Sequence, residues 1–315
     1  VKTSLTKSPA EAAEVIKRGG IVAFPTETVY GLGADIFNES AVAKIFEAKM
    51  RPGDNPLIAH IHDLGQIYDL TTRLNSNAER LVARFFPGPL TIVVDRSDAV
   101  PLIATAGLET IGIRMPKLTV ARHFLSECGT PIVAPSANLS GRPSPTTWTA
   151  VFEDLNGRID CILQGDPAEI GIESTVVDCT SPNPVLLRQG AISFEQLRSE
   201  IPDMSVFTGS ETLAVRSPGL RHRHYSPTAK VVIVSPGKAP LSALQAAYIG
   251  LNVPPRPTAF ILSRLCLSID EYAKAVFEFF RECDRQGVQT IYCEKVAEPG
   301  IGAALMDRIR RAADG

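Results

Sequence analysis

The six cysteines of this 315-residue chain, at 128, 161, 179, 266, 283 and 293, include no CxxC pair and follow no regular spacing. That argues against a zinc ribbon and a disulfide framework, and leaves free, mostly buried thiols as the expected state. No run approaches the roughly 18 apolar residues a membrane helix needs. The opening VKTSLTKSPAEAAEVIKRGG lacks the apolar core of a signal peptide, so a soluble, cytoplasmic protein is the expectation. Common nucleotide and hydrolase signatures are missing too. PGKA at 236–239 has neither the spacing nor the hydroxyl of a GxxxxGK[ST] phosphate loop, and GIGAAL at 300–305 half matches a dinucleotide fingerprint with no strand directly before it. Neither GxSxG nor HExxH occurs. With a net charge of −2 there is no global basic field for nucleic acid. Basic residues crowd only locally, at Arg216, Arg221, His222, Arg223 and His224, with Lys230 just beyond.

What is present is an alternation of short apolar runs and amphipathic stretches, on a chain long enough for two cores. Ser8-Pro9-Ala10-Glu11 reads as a helix start, with Ser8 capping, Pro9 in the first turn and Glu11 closing a capping box; Gly19 ends that helix. Asn38 caps a second helix whose Val42, Ile45 and Phe46 face inward. Strands are predicted at 20–24, 57–61, 90–94, 110–113, 131–134, 160–163, 175–178 and 184–187, and helices around 76–86, 118–127, 145–155 and 193–200. LTIVV and TIGI have no helical pattern between them, which predicts a mixed sheet. From Ile201 to Lys230 periodicity stops while Pro, Ser, Gly and Arg are frequent, the mark of a functional linker. Beyond it, strands at 231–234, 258–262 and 289–293 alternate with helices at 241–249, 269–286 and from 301, which predicts a small parallel sheet. The predicted fold is α/β, with a mixed-sheet domain over 1–201, a linker over 202–230 and a small Rossmann-like domain over 231–315.

Polar residues gather where strands end, the places that carry function in α/β proteins. FPTETVYGLG (24–33) leaves the first strand through Pro25, and its Gly31 and Gly33 read as sources of backbone freedom. AKMRPGDNPLIAH (48–60) sets Lys49 and Arg51 at a helix C-terminus and leads through Asn55 to His60. Arg114 follows TIGI and Arg188 follows VLL, each at a strand end. APSANLSGRPSPTT (134–147) offers Ser136, Asn138, Ser140 and Ser144 in a loop able to aim hydroxyls and N–H groups at phosphate oxygens, and IGIESTVVD (170–178) adds Ser174 and Thr175. Three arginines at strand and helix ends of one domain point to an anion site.

With PTETVYGLG, AKMRPGDNPL, TIGIRMP, APSANLSGRPSPT and GIESTVVD in this order, the chain resembles the YrdC-like threonylcarbamoyl-AMP synthases across about residues 8–200. SPGLRHRHYSP (217–227) and the α/β tail are similar to the longer, two-domain form. The resemblance implies a nucleotidyltransferase that converts L-threonine, bicarbonate and ATP into threonylcarbamoyl-adenylate and pyrophosphate, for threonylcarbamoylation of the adenosine beside the tRNA anticodon. It implies a threonine pocket of Thr28, His60, Arg114, Ala134 and Ser174, with Arg114 clasping the carboxylate and Ala134 contributing backbone groups. Arg51, Asn55, Thr110, Ser136, Asn138, Ser144 and Arg188 would face ATP, as would Lys49. Lys49, Arg51 and Arg114 would stabilise the charge that grows during reaction. Tyr225, with His224 as the weaker candidate, would close over the ligands, making the 202–230 linker a lid. Mg²⁺ would arrive with ATP rather than in a carboxylate cage. The downstream tRNA threonylcarbamoyl transferase is the implied partner; direct binding of tRNA is left open. Two other readings use the same residues. An RNA-binding regulator would exploit the basic concave face, but lacks net positive charge and aromatics for stacking bases. A carbamoyl-transfer domain of the hydrogenase-maturation type would share the fold but bring zinc-finger modules, which the missing CxxC disfavours.

Overall fold

The computed structural model describes residues 2–207, 209, 225–240 and 245–314. The basic cluster at 216–224, including His224, and most of the expected lid lie outside the described residues.

Eleven strands form one mixed sheet in the order β1-β8-β2-β3-β7-β4-β6-β5-β9-β10-β11. They are β1 Ser4–Thr6, β2 Val22–Phe24, β3 Gly31–Asp35, β4 Ile58–His60, β5 Leu90–Asp95, β6 Thr110–Arg114, β7 Ile132–Ala134, β8 Cys161–Leu163, β9 Thr175–Asp178, β10 Val185–Arg188 and β11 Ser205–Val206. β5 and β6 are antiparallel, although a single helical turn at Leu102–Thr105, not foreseen from the sequence, lies between them, whereas β4 and β6 run parallel. The main helices around the sheet are α1 Pro9–Lys17, α2 Glu39–Lys49, α3 Ser76–Phe85, α4 Thr119–Cys128, α5 Trp148–Leu155 and α6 Phe194–Glu200. α1 and α4 bury Ala12, Ile16, Phe124 and Leu125 against Val22, Phe24 and Ile132, while α2 contributes Val42 and Ile45 to the larger core. A second sheet, wholly parallel, contains β12 Lys230–Val234, β13 Ala246–Gly250, β14 Leu262–Leu265 and β15 Thr290–Glu294, in the order β12-β15-β13-β14. The long α7 Ile269–Arg285 and α8 Ile301–Ala313 supply most of its core.

Several local expectations need correction. Ser8 caps α1 and Asn38 caps α2, but the capping box at Glu11 does not close. The Glu11 carboxylate accepts instead from the Thr6 hydroxyl, and the Ser8 N–H goes to that same hydroxyl. Gly31 and Gly33 are not turn residues. They lie in β3, where a Cβ on Gly33 would sit 2.6 Å from Ile132 Cγ2 and 2.9 Å from Phe24 Cε1, so the glycine is there for close packing. The helix predicted over 241–249 is, from Ala246 on, the strand β13, whose five residues are all buried between two neighbours. Such an interior strand is apolar on both faces, so its pattern cannot be told from that of a buried helix. The strand predicted at 258–262 gives way to a 3₁₀ turn at Pro257–Ala259 and to the edge strand β14. The linker is not wholly irregular, since Ser205 and Val206 extend the large sheet beside β10.

Candidate active site

The PTET segment is a turn held by its own hydroxyls. Thr26 Oγ1 donates its one proton to the Val29 carbonyl at 2.6 Å, so Thr28 Oγ1, 2.8 Å away, donates to Thr26. Thr28 Oγ1 then accepts from Arg114 Nη1 at 2.7 Å. Arg114, the last residue of β6, also donates Nη2 to Glu27 at 2.6 Å and Nε to the Gly88 carbonyl at 3.3 Å. Glu27 in turn accepts the Lys117 N–H. Three of the guanidinium's five N–H groups are thereby spent on fixing its plane, and two remain for a ligand. His60 pairs with Arg114 in the parallel register of β4 and β6. Its Nδ1 donates to the Ile58 carbonyl at 3.0 Å, and its ring meets Phe24 edge-on. Burial, reinforced by the Arg114 charge, pushes the His60 pKa down to about 3, so the imidazole is neutral.

On the other flank, α2 ends at Met50 in the left-handed conformation, which swings Arg51 off the helix axis. Arg51 donates to the carbonyls of Asn55 and Pro56 at 3.3 and 3.1 Å. Burial lowers its pKa to about 10, with Tyr225 and Asp54 opposing the fall, so it stays charged at neutral pH. Lys49 is turned behind the pocket. Its buried amine donates to the backbone carbonyls of Ser136 and Asn138, and burial followed by the Arg51 charge pushes its pKa well down. Lys49 thus anchors the 136–144 loop. Inside that loop, the Asn138 amide donates to the carbonyls of Leu139 and Arg142 at 2.8 and 2.9 Å.

A buried carboxylate sits among the arginines. Glu173 accepts from the Ser144 hydroxyl through one oxygen and from Arg308 Nε at 2.8 Å through the other. Burial alone would raise its carboxyl, but the charges of Arg308 and Arg188 and the two donated hydrogen bonds hold it below the usual carboxylate range. Because Ser144 gives its only proton to this anion, its oxygen remains for the pocket as an acceptor. Arg188, the last residue of β10, donates to the Ser174 carbonyl and hydroxyl at 3.0 and 3.1 Å, and Ser174 Oγ also meets Thr91 Oγ1 at 2.8 Å. Tyr225 has φ of 66°, is buried, and stacks on Phe277 of α7 at 5.3 Å.

One pocket collects these groups. It is lined by Thr28, Arg51, His60, Arg114, Ala134, Ser136, Asn138, Ser144, Ser174, Arg188 and Tyr225. Of the predicted site residues, Lys49, Asn55 and Thr110 are buried but do not line it; Thr110 opens β6, four residues before Arg114. Sequence reasoning passed over Thr26, Arg142 and Glu173, which do line it, and Glu27 and Arg308 behind it. Glu27 and Glu173 had a usable signal: an acid inside a motif otherwise built for anions needs a cation of its own. Arg308 had none, since RIRR near a chain's last helix reads as charge complementing a helix C-terminus. Four arginines against one lining carboxylate make a pocket for a polyanion with a carboxylate-sized fork at one end. Among the described residues, no group of three or more His, Cys, Asp or Glu could hold a metal ion.

A family model covering Sua5, YciO and YrdC, described as telomere recombination, matches residues 14–190. A second, described as the C-terminal domain of threonylcarbamoyl-AMP synthase, matches 192–314. Among curated relatives, the threonylcarbamoyl-AMP synthase of Pyrococcus abyssi is 41% identical over 317 residues, covering 96% of this chain and 92% of the relative. The enzyme of the same name from Bacillus subtilis is 40% identical over 321 residues, with 97% and 93% covered. The crystal structure of P. abyssi Sua5 complexed with L-threonine superposes with a TM-score of 0.90 at 37% identity, covering 99% of this chain and 97% of that one.

Proposed function

This chain belongs to the threonylcarbamoyl-AMP synthase family, and from that premise we propose how its pocket performs the family's reaction. It is a nucleotidyltransferase that makes threonylcarbamoyl-AMP and pyrophosphate from L-threonine, bicarbonate and ATP, for threonylcarbamoyladenosine in tRNA. The observation that carries the residue-level reading is Arg114, buried, immobilised by Glu27 and Thr28, and left with two N–H groups beside neutral His60. Those two donors match the two oxygens of a carboxylate. Threonine's carboxylate therefore docks on Arg114, with Thr28, His60, Ser174 and the Ala134 backbone enclosing the rest of the amino acid. A pocket with neutral walls near its amine favours the unprotonated, nucleophilic form.

The amine attacks the carbon of bicarbonate; its lone pair forms the C–N bond, water leaves, and a carbamate results. A carbamate oxygen then attacks the α-phosphorus of ATP, and the P–O bond to pyrophosphate breaks with its electron pair on the leaving group. Charge builds on phosphate oxygens, where Arg51 and Arg188 stand as fixed donors. Ser136 and Asn138 line the nucleotide side, Asn55 and Thr110 support it, and Lys49 acts by holding the loop. Ser144, presenting an acceptor, suits a donor on the nucleoside rather than a phosphate oxygen. Mg²⁺ bound to the ATP phosphates would add positive charge beside Arg51 and Arg188, and Tyr225 covers the pocket near the end of the 202–230 linker that divides units of 1–201 and 231–315. The adenylate passes to a tRNA threonylcarbamoyl transferase. No helix among the described residues is long and apolar enough to cross a membrane, which fits action in the cytoplasm.

The experiment is pyrophosphate release from ATP, with threonine and bicarbonate each supplied or withheld, in wild type and Arg114→Ala. Release should require both substrates and fall at least about a hundredfold in kcat/KM for threonine in the variant. Release that ignores threonine would mean another acceptor.

A further inference from the structure

Arg308 is the least expected charge in the molecule: fully buried, on α8 of the second sheet's domain, yet in contact with the first. Its neighbours on the helix are ordinary. Arg310 pairs with Glu298 at the surface and Arg311 pairs with Asp307 one turn back. Arg308 spends one N–H on Asp307 at 2.7 Å, and its remaining contacts all leave the helix. Nε donates to Glu173 at 2.8 Å, Nη2 donates to the Gln189 carbonyl at 2.9 Å, and the guanidinium carbon lies 5.4 Å from the centre of the Tyr225 ring.

Each of those three contacts ends on a segment that carries a pocket residue. Glu173 takes the Ser144 proton and so fixes where that hydroxyl points. Gln189 follows Arg188, so its carbonyl sets the backbone from which that side chain reaches Ser174. Tyr225 itself lines the pocket. We propose that Arg308 is a positioning residue for the nucleotide side of the pocket, through which the second domain completes a site that the first builds only in part. The inference rests on the synthase reading for the identity of the nucleotide. Domain adhesion alone needs a salt bridge anywhere on the interface, and Arg281 with Asp154 already supplies one. It does not need contacts that converge on Ser144, Arg188 and Tyr225. Arg114, the clasp on the threonine carboxylate, is anchored separately, by Glu27, Thr28 and Gly88, none of which Arg308 touches.

The test uses full-length Arg308→Met and Arg308→Lys, with Arg310→Ala as a control on the same helix. ATP affinity is measured by calorimetry without threonine or bicarbonate, and KM for each substrate by pyrophosphate release. Arg308→Met should weaken ATP binding at least tenfold and raise KM for ATP in step, while KM for threonine moves by less than twofold. Arg308→Lys, which keeps the charge but loses the fork, should fall between, and Arg310→Ala should match wild type. An Arg308→Met protein with a cooperative melt and wild-type ATP affinity would overturn the proposal. So would an equal loss for both substrates, the signature of general loosening. If the Met variant does not fold, unchanged ATP affinity in the Lys variant overturns it. Wild type that binds ATP but releases no pyrophosphate would sink the synthase reading alone, because the binding comparison does not depend on turnover.

Discussion

His60 carries no charge at the pH where the pocket works, and that costs the protein stability in acid. Its folded pKa of about 3 lies below the ordinary 6.5, so between those values the unfolded chain binds a proton that the native state refuses. Stability therefore rises with pH through this window and is lost on acidification, with a slope of up to about 1.4 kcal/mol per pH unit. Urea unfolding at pH 4.5, 5.5 and 7 should show a steeper decline for wild type than for His60→Asn; parallel declines would mean the imidazole protonates in place. Arg114 and His60 were legible as polar residues closing apolar runs, a place that alone fits a surface residue as well, and it was the motifs around them that marked them for the pocket they line. For Glu27 and Glu173 the need of a cation was legible but its identity was not, because the partner can lie far along the chain, as Arg308 lies 135 residues from Glu173.

Strands β2, β3 and β7 place the PTET turn by packing so closely that only glycine fits at position 33. Adding one methyl there overpacks the sheet and should cost about 1–3 kcal/mol. Gly33→Ala is thus expected to lower the urea midpoint, and Gly33→Ala with Ile132→Ala should be less destabilised than the sum of the two single variants. Strict additivity would remove the steric account. Two glycines flanking a leucine look identical in sequence whether they free a turn or admit a neighbour, so the pattern over β3 suggests backbone freedom where the fold has close packing. The misreading of β13 as helix has a related cause: burial on both faces erases the alternation that marks a strand. The capped helices α1 and α2 were readable because their start signals act within four residues.

At the scale of the whole molecule, the two sheets are joined by buried charge and by exchanged side chains. Asp154 on α5 is fully buried and accepts from Arg281 of α7 and from pocket-lining Arg142, at 2.8 and 2.6 Å. Burial alone would raise its carboxyl, and the two arginines more than reverse this. Asp154→Asn would strand the buried Arg281 charge, so unfolding free energy should drop by roughly 3–5 kcal/mol. Arg142→Ala, which removes a half-exposed partner, should cost far less; equal losses would show that Arg281 is not the group left unpaired. Ile172 of the first sheet's loop sits in the core of the second domain, and Gly171 beside it has φ of 84° and leaves no room for a Cβ, which would lie 2.4 Å from the α7 backbone at Lys274. Neither feature is visible in a pattern of strands and helices.

By itself the sequence determined most elements of the first domain, the mixed character of the large sheet and the parallel character of the small one. It also determined the strand-end arginines and the family, because each depends on residues close together in the chain or on motifs with fixed spacing. Only the tertiary structure decided which hydroxyls and guanidinium groups are already spent. A proton given by Thr28 to Thr26, or by Ser144 to Glu173, depends on what the fold brings within 3 Å, and it settles whether a side chain meets a ligand as donor or acceptor. Lys49 shows the difference most plainly. The motif marks it as a free cation, and the fold turns its amine onto two backbone carbonyls, where it shapes the pocket instead of entering it.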